Sequence, residues 1–278
     1  MPVVHLTDRA LIRVHGPDAR HFLHNILTCN VAELPAGGSR YGALLFPQGK
    51  IIADFLLYDE GEDSFLLDAP KAQVADLLKR LGFYKLRAQV TCEAADDLAV
   101  AAVFGDGPAP EGRLFPDPRL AALGGRLVLP AAAAAAFSDD AAAYEAHRIA
   151  LGIPKGGPDF AYGDAFPHEA DMDQLGGVDF KKGCYVGQEV VARMQHRGTA
   201  RTRAVQALLD AAPAPGSEIM AGEKTVGRMG SAADGKAIAL VRLDRAADAK
   251  AAGIPLVAGG QPVTLRRPQW ATFAMEAE

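Results

Sequence analysis

The chain has 278 residues, 49% apolar and 23% charged, a balance that packs a folded interior and excludes a disordered protein. Its net charge of −5 offers no overall attraction to nucleic acid or to an anionic bilayer, so neither stable nucleic-acid binding nor membrane attachment is expected. No apolar run is long enough to span a bilayer, and the length allows one large domain or two to three small ones.

The opening residues, Met1-Pro2-Val3-Val4-His5-Leu6-Thr7-Asp8-Arg9, lack a basic stretch followed by an apolar core, so no secretory leader is expected. Residues 10–14 alternate as a short strand. Gly16-Pro17-Asp18 breaks it, and Asp18 is placed to cap a helix over residues 19–27, with Phe22, Leu23, Ile26 and Leu27 on one face. His21 and His24 lie off that face and read as surface histidines. Residues 41–46 and 51–58, joined by Pro47-Gln48-Gly49-Lys50, read as a hairpin. Asp54 interrupts the apolar run of the second strand. Either alternation turns it to water or it is held inside for a purpose. Residues 65–67 read as a strand, 70–81 as an amphipathic helix ending at Gly82, and 85–90 as an edge-like strand ending at a structural Cys92. Together these elements make an α+β domain around an antiparallel sheet.

Further along, residues 98–104 form an apolar strand and 105–118 a loop rich in Gly and Pro. A short strand covers 127–129, and the alanine run 131–136 starts a helix. A second helix passes Tyr144, His147 and Arg148 and stops at Gly152-Ile153-Pro154. Asp171 and Asp173 read as solvation of a helix start. The arginines at 193, 197, 201 and 203 could meet an anionic ligand, form an RNA-contacting strip or line a solvated rim. From residue 205, short apolar runs between Gly, Pro and Asp turns read as a small all-β barrel, with Trp270 as a packing residue.

Reactive residue types crowd into one stretch, Asp179-Phe180-Lys181-Lys182-Gly183-Cys184-Tyr185-Val186-Gly187-Gln188-Glu189. A thiol stands between two glycines, after two lysines and ahead of a helix. Neighbouring ammonium groups and the positive end of a helix both favour thiolate, and glycine lets a ligand approach the main chain. A lone cysteine can equally be a small buried hydrophobe. Cys29, Cys92 and Cys184 lie far apart, with no CxxC pair and no histidine at zinc-ligand spacing. They exclude a disulfide framework, give no permanently bound metal and indicate a reducing compartment, expected to be the cytoplasm.

The run Lys182-Gly183-Cys184-Tyr185-Val186-Gly187-Gln188-Glu189, continued by Val190, Val191 and Arg193, resembles the signature of the YgfZ family. These are folate-binding proteins implicated in iron–sulfur cluster assembly and repair, similar in fold to the aminomethyltransferase (T-protein) of glycine cleavage. The resemblance extends to Gly16-Pro17-Asp18-Ala19, the Gly49-Lys50-Ile51-Ile52-Ala53-Asp54 hairpin, Arg148 to Pro154, the segment around Pro167-His168-Glu169, and the C-terminal barrel. It implies an α+β fold of two lobes with antiparallel sheets plus a small barrel, in a ring-like T-protein-type architecture. Residues 1–203 would form the two-lobed folate-binding region, with the lobe break near 95–150, and 204–278 the barrel.

It further implies Cys184 as the reactive thiolate, and Asp54, Glu169, Lys182, Gln188, Glu189 and Arg193 as contacts to tetrahydrofolate. A carboxylate suits a pterin because it accepts from a ring N–H and the exocyclic amine together. The implied partners are iron–sulfur client or scaffold proteins, tRNA-modifying enzymes among them, and the implied role is that of a maturation factor rather than a conventional enzyme. The alternative is a folate-dependent aminomethyl or one-carbon transferase, or a demethylase. Against it, Ala53-Asp54 stands where the T-protein has two acids, and Ala150 where the T-protein has a glutamate. One thiolate cannot hold a [4Fe–4S] cluster alone, so a cluster at Cys184 would be transient or shared with a partner.

Overall fold

A computed structural model describes residues 1–108, 110–198 and 200–276. The chain divides into two units, Met1–Tyr144 with Leu175–Val190, and Glu145–Gln174 with Val191–Glu278.

In the first unit the elements are β1 (Val3–His5), β2 (Arg9–His15), α1 (Ala19–Ile26), β3 (Ser39–Leu45), β4 (Ile51–Gly61), β5 (Ser64–Pro70), α2 (Val74–Lys85), β6 (Thr91–Ala94), β7 (Leu98–Val103), β8 (Arg113–Pro116), β9 (Gly125–Pro130) and α3 (Ala131–Ala134). They build two antiparallel sheets, ordered β3-β4-β5-β2-β6 and β1-β7-β9-β8. α1 and α2 cover one face of the five-stranded sheet, with Phe22, Leu23, Ile26, Leu77 and Leu81 joining Ile12, Leu44, Phe55, Leu57 and Phe65 in one apolar core. Each such side chain contributes roughly 1.5–3 kcal/mol when fully buried. The first nine residues of β4 are all buried. Both of its faces are therefore covered, and alternation does not bring Asp54 to water.

Three local expectations are corrected. The Asp18 side chain makes no cap bond to α1; it accepts the N–H of Gln89 at 2.8 Å instead. α2 runs past Gly82 to Lys85. The left-handed residue that follows the helix is Leu86, φ 46°. The strand expected at 85–90 is consequently displaced to Thr91–Ala94, where His15 pairs with Thr91.

The second sheet also meets the first through buried charge, Arg126 of β9 lying 3.5 Å from Asp68 of β5. Tyr58 stacks on Phe115 at 4.5 Å. Asp68 accepts the Tyr58 hydroxyl at 2.9 Å and Arg9 Nε at 2.7 Å. Asp117 forms a bidentate pair with Arg119 at 3.0 and 2.7 Å. Burial opposes the Asp117 charge, but the guanidinium groups of Arg119 and Arg126 outweigh it and hold the carboxyl below its usual range.

The remaining elements are α4 (Ala142–Ala150), α5 (Gln188–Arg197), β10 (Thr202–Leu208), β11 (Glu218–Ala221), β12 (Lys224–Ala233), β13 (Lys236–Arg242), α6 (Leu243–Ala251), β14 (Leu256–Ala258), β15 (Gln261–Pro262) and β16 (Thr264–Arg266). Strands β10 to β16 form one seven-stranded antiparallel sheet, ordered β15-β14-β11-β12-β13-β10-β16. Bulges in β11 and β12 let it curl into a nearly closed barrel around Val205, Ile219, Val226, Met229 and Val241. Arg148 of α4 is 2% exposed and bonds Glu145, Asp159, Ser231 and the Ile153 carbonyl. The Trp270 indole donates to the Leu151 carbonyl at 2.8 Å. No helix among the described residues is long and apolar enough to cross a membrane.

Candidate functional site

The thiol-bearing stretch has no regular structure until α5 starts at Gln188. Hydrogen bonds to the end of α1 hold it in place. The Asp179 N–H donates to the Thr28 carbonyl at 2.9 Å. The buried Thr28 hydroxyl donates to Gly177 O at 2.6 Å and accepts the Ala43 N–H at 2.8 Å. Asp179 Oδ1 accepts the N–H groups of Lys181 and Lys182 at 2.7 and 3.0 Å, closing a tight turn. Lys182, 8% exposed, sends its ammonium into the carbonyl end of α1, bonding Leu27 O at 2.6 Å, Cys29 O at 3.0 Å and His24 O.

At its far end the stretch is fixed by close backbone approach. Gly187 has φ 80°, and a β-carbon there would stand 2.5 Å from the Phe46 carbonyl, in the turn between β3 and β4. Val186 packs against the core of this unit. Between these anchors Cys184 is exposed, and a β-carbon on Gly183 would meet nothing within 4 Å. The other two thiols differ. Burial pushes Cys29 and Cys92 up to about 11, so both remain thiols at neutral pH. The Tyr185 hydroxyl, beside Cys184 in sequence, is buried with no hydrogen-bond partner among the described residues.

Asp54 is 6% exposed on β4 and accepts the Tyr41 hydroxyl at 3.0 Å. Burial and the neighbouring Asp54 charge together push the Tyr41 phenol well above its usual value, so it stays a donor. Tyr41 was legible in principle. Ala43 pairs with Asp54 across the hairpin, which places Tyr41, two residues away, diagonally opposite on the same face.

Asp54, Lys182, Cys184, Gln188 and Glu189 belong to the first unit, and Glu169 and Arg193 to the second. Gln188 is half-buried at the start of α5, Glu189 is exposed in its first turn, and Arg193 is exposed on the same helix. Glu169 is half-buried, and its Oε2 accepts the Phe166 N–H at 2.9 Å. Asp171 and Asp173 do not solvate a helix start. Both are buried against Arg203, which also donates to the His168 carbonyl at 2.8 Å. Arg203 is therefore neither a rim residue nor free for an anionic ligand. Burial lifts the Asp171 carboxyl well above its usual value.

Residues 3–109 match the GCVT N-terminal domain and residues 201–273 the CAF17 C-terminal beta-barrel domain. The chain is 34% identical to the mitochondrial iron–sulfur cluster assembly factor IBA57 homolog of Neurospora crassa over 73% of its length, and 36% and 34% identical to mitochondrial iron–sulfur cluster assembly factor IBA57 of Mus musculus and Homo sapiens over 78% and 80%. It spans 53%, 68% and 72% of those three proteins. In structure it is similar to glycine cleavage system aminomethyltransferase T from Bartonella henselae, with TM-score 0.76 and 18% identity over 97% of this chain and 86% of the other, a likeness of fold.

These relatives correct two expectations. They carry the name IBA57, that of a YgfZ-related family, and not YgfZ itself. They are also named as mitochondrial, which overturns the cytoplasmic expectation. Sparse, unpaired cysteines separate reducing from oxidising surroundings but do not separate one reducing compartment from another.

Proposed function

The chain belongs to the IBA57 family of iron–sulfur cluster assembly factors, and from that premise we propose that it assists the assembly or repair of iron–sulfur clusters in client enzymes, including tRNA-modifying ones, with Cys184 as the group that touches the cluster. The observation that carries this reading is the contrast among the three thiols. Cys29 is buried and Cys92 half-buried, both held as thiols, while Cys184 is exposed on a stretch anchored at both ends. A cluster is cargo here. One exposed thiolate supplies one ligand, so the remaining ligands come from the partner that delivers or receives the cluster.

We further propose that tetrahydrofolate is a ligand of the chain. Asp54 in the first unit and Glu169 in the second are carboxylates each held by a hydrogen bond, from the Tyr41 hydroxyl and the Phe166 N–H, and a carboxylate accepts from a pterin's N–H groups. Gln188 and Glu189 add polar groups, and Arg193 adds a charge for a folate's anionic tail. The transferase alternative has no support from the position where the T-protein carries a glutamate. There Ala150 presents only a methyl group, and its carbonyl is taken by Gln206 at 2.8 Å.

The test is complementation of cells that lack this protein, read as the activity of a [4Fe–4S] enzyme. Cys184→Ala should fail and Cys92→Ala should succeed, with both variants folded by circular dichroism. Full activity with Cys184→Ala would remove the thiol from the function. Calorimetric titration of the wild type with tetrahydrofolate tests the ligand. Binding weakened at least tenfold in both Asp54→Ala and Glu169→Ala, about 1.4 kcal/mol, is expected, and no heat in the wild type would remove folate.

A further inference from the structure

Lys182 stands two residues before the exposed thiol, yet its ammonium is committed elsewhere. Its three N–H donors have three carbonyl acceptors, at His24, Leu27 and Cys29, where α1 ends. Carbonyls at a helix C-terminus have no partner within the helix and carry the negative end of its dipole, so a buried cation there satisfies both demands. The ring of Tyr185 lies 5.4 Å from the same ammonium. The turn closed by Asp179 places the lysine between the Thr28 contacts and Cys184.

We infer that Lys182 is the positioning residue of the Cys184 loop: it pins the loop to the end of α1 and so fixes where the thiol is presented, instead of contacting the ligand itself. The inference rests on the reading that Cys184 is the working thiol.

The experiment attaches a nitroxide to Cys184 in the full chain carrying Cys92→Ser, Cys29 being too buried to react, and records its paramagnetic resonance line shape. The loop with Lys182 intact should show an immobilised component. Lys182→Met, which has no N–H donor, should lack that component. Lys182→Gln, with two N–H donors and no charge, should keep part of it. Circular dichroism checks that both variants keep the fold. A line shape that folded Lys182→Met leaves unchanged would overturn the inference. The readout is independent of client activity. A loosened loop with an active Cys184→Ala would leave the pin and remove the function, and the converse result would do the opposite.

Discussion

Thr28 joins three segments with one hydroxyl. It is fully buried, donates to Gly177 O and accepts from Ala43 N. Thr28→Val keeps the shape and removes both bonds, leaving a carbonyl and an N–H buried without partners, which costs about 2–4 kcal/mol. Urea unfolding measures that loss, and Thr28→Ser should recover most of it. His168 gives a pH dependence of known sign. It is 1% exposed, and burial lowers its pKa below the usual 6.5. Between the folded value and 6.5 the unfolded chain binds more protons, so stability is full above 6.5 and falls as the pH drops through the folded value. His168→Asn should flatten that limb of the stability profile while leaving the region above pH 7 unchanged. Neither residue stood out in the sequence. A threonine before a cysteine and a histidine beside an acidic run carry no local mark of burial, because burial is decided by segments about 150 and 35 residues away.

At the scale of elements, the hairpin of β3 and β4, α1, and the barrel strands were legible because apolar period and turn residues agree there. The stretch after α2 was not, because Gly82 reads as a helix stop although three more residues extend the helix before the left-handed Leu86. The loop from Gly177 to Gly187 was legible as chemistry but not as geometry. Nothing local shows that a lysine two residues from the thiol ends on carbonyls more than 150 positions away. The glycines of this loop make separable predictions. Gly187→Ala forces a β-carbon into a left-handed position 2.5 Å from the Phe46 carbonyl and should cost at least about 1–2 kcal/mol. Gly183→Ala enters open space outside the left-handed region and should change stability by less than about 0.5 kcal/mol. Thermal unfolding of the two variants side by side decides this. Equal destabilisation would mean that the loop is not held against the hairpin turn.

For the whole molecule, antiparallel sheets followed by a seven-stranded barrel give an aminomethyltransferase-like fold, and the fold does not name the reaction. What the proposed reading rests on is local: an exposed thiol on a loop anchored at both ends. The motif around Cys184 carried the iron–sulfur reading from the sequence, whereas the compartment could not be read from composition. The most direct test of the account is cluster installation in vitro. A purified apo form of a [4Fe–4S] enzyme is incubated with ferric iron, sulfide, a thiol reductant and this protein, and the recovery of enzyme activity is followed. Wild-type protein should raise the yield of active enzyme above the reagents alone, Lys182→Met should raise it less, and Cys184→Ala should give no gain. A yield with Cys184→Ala equal to that of the wild type would contradict the account.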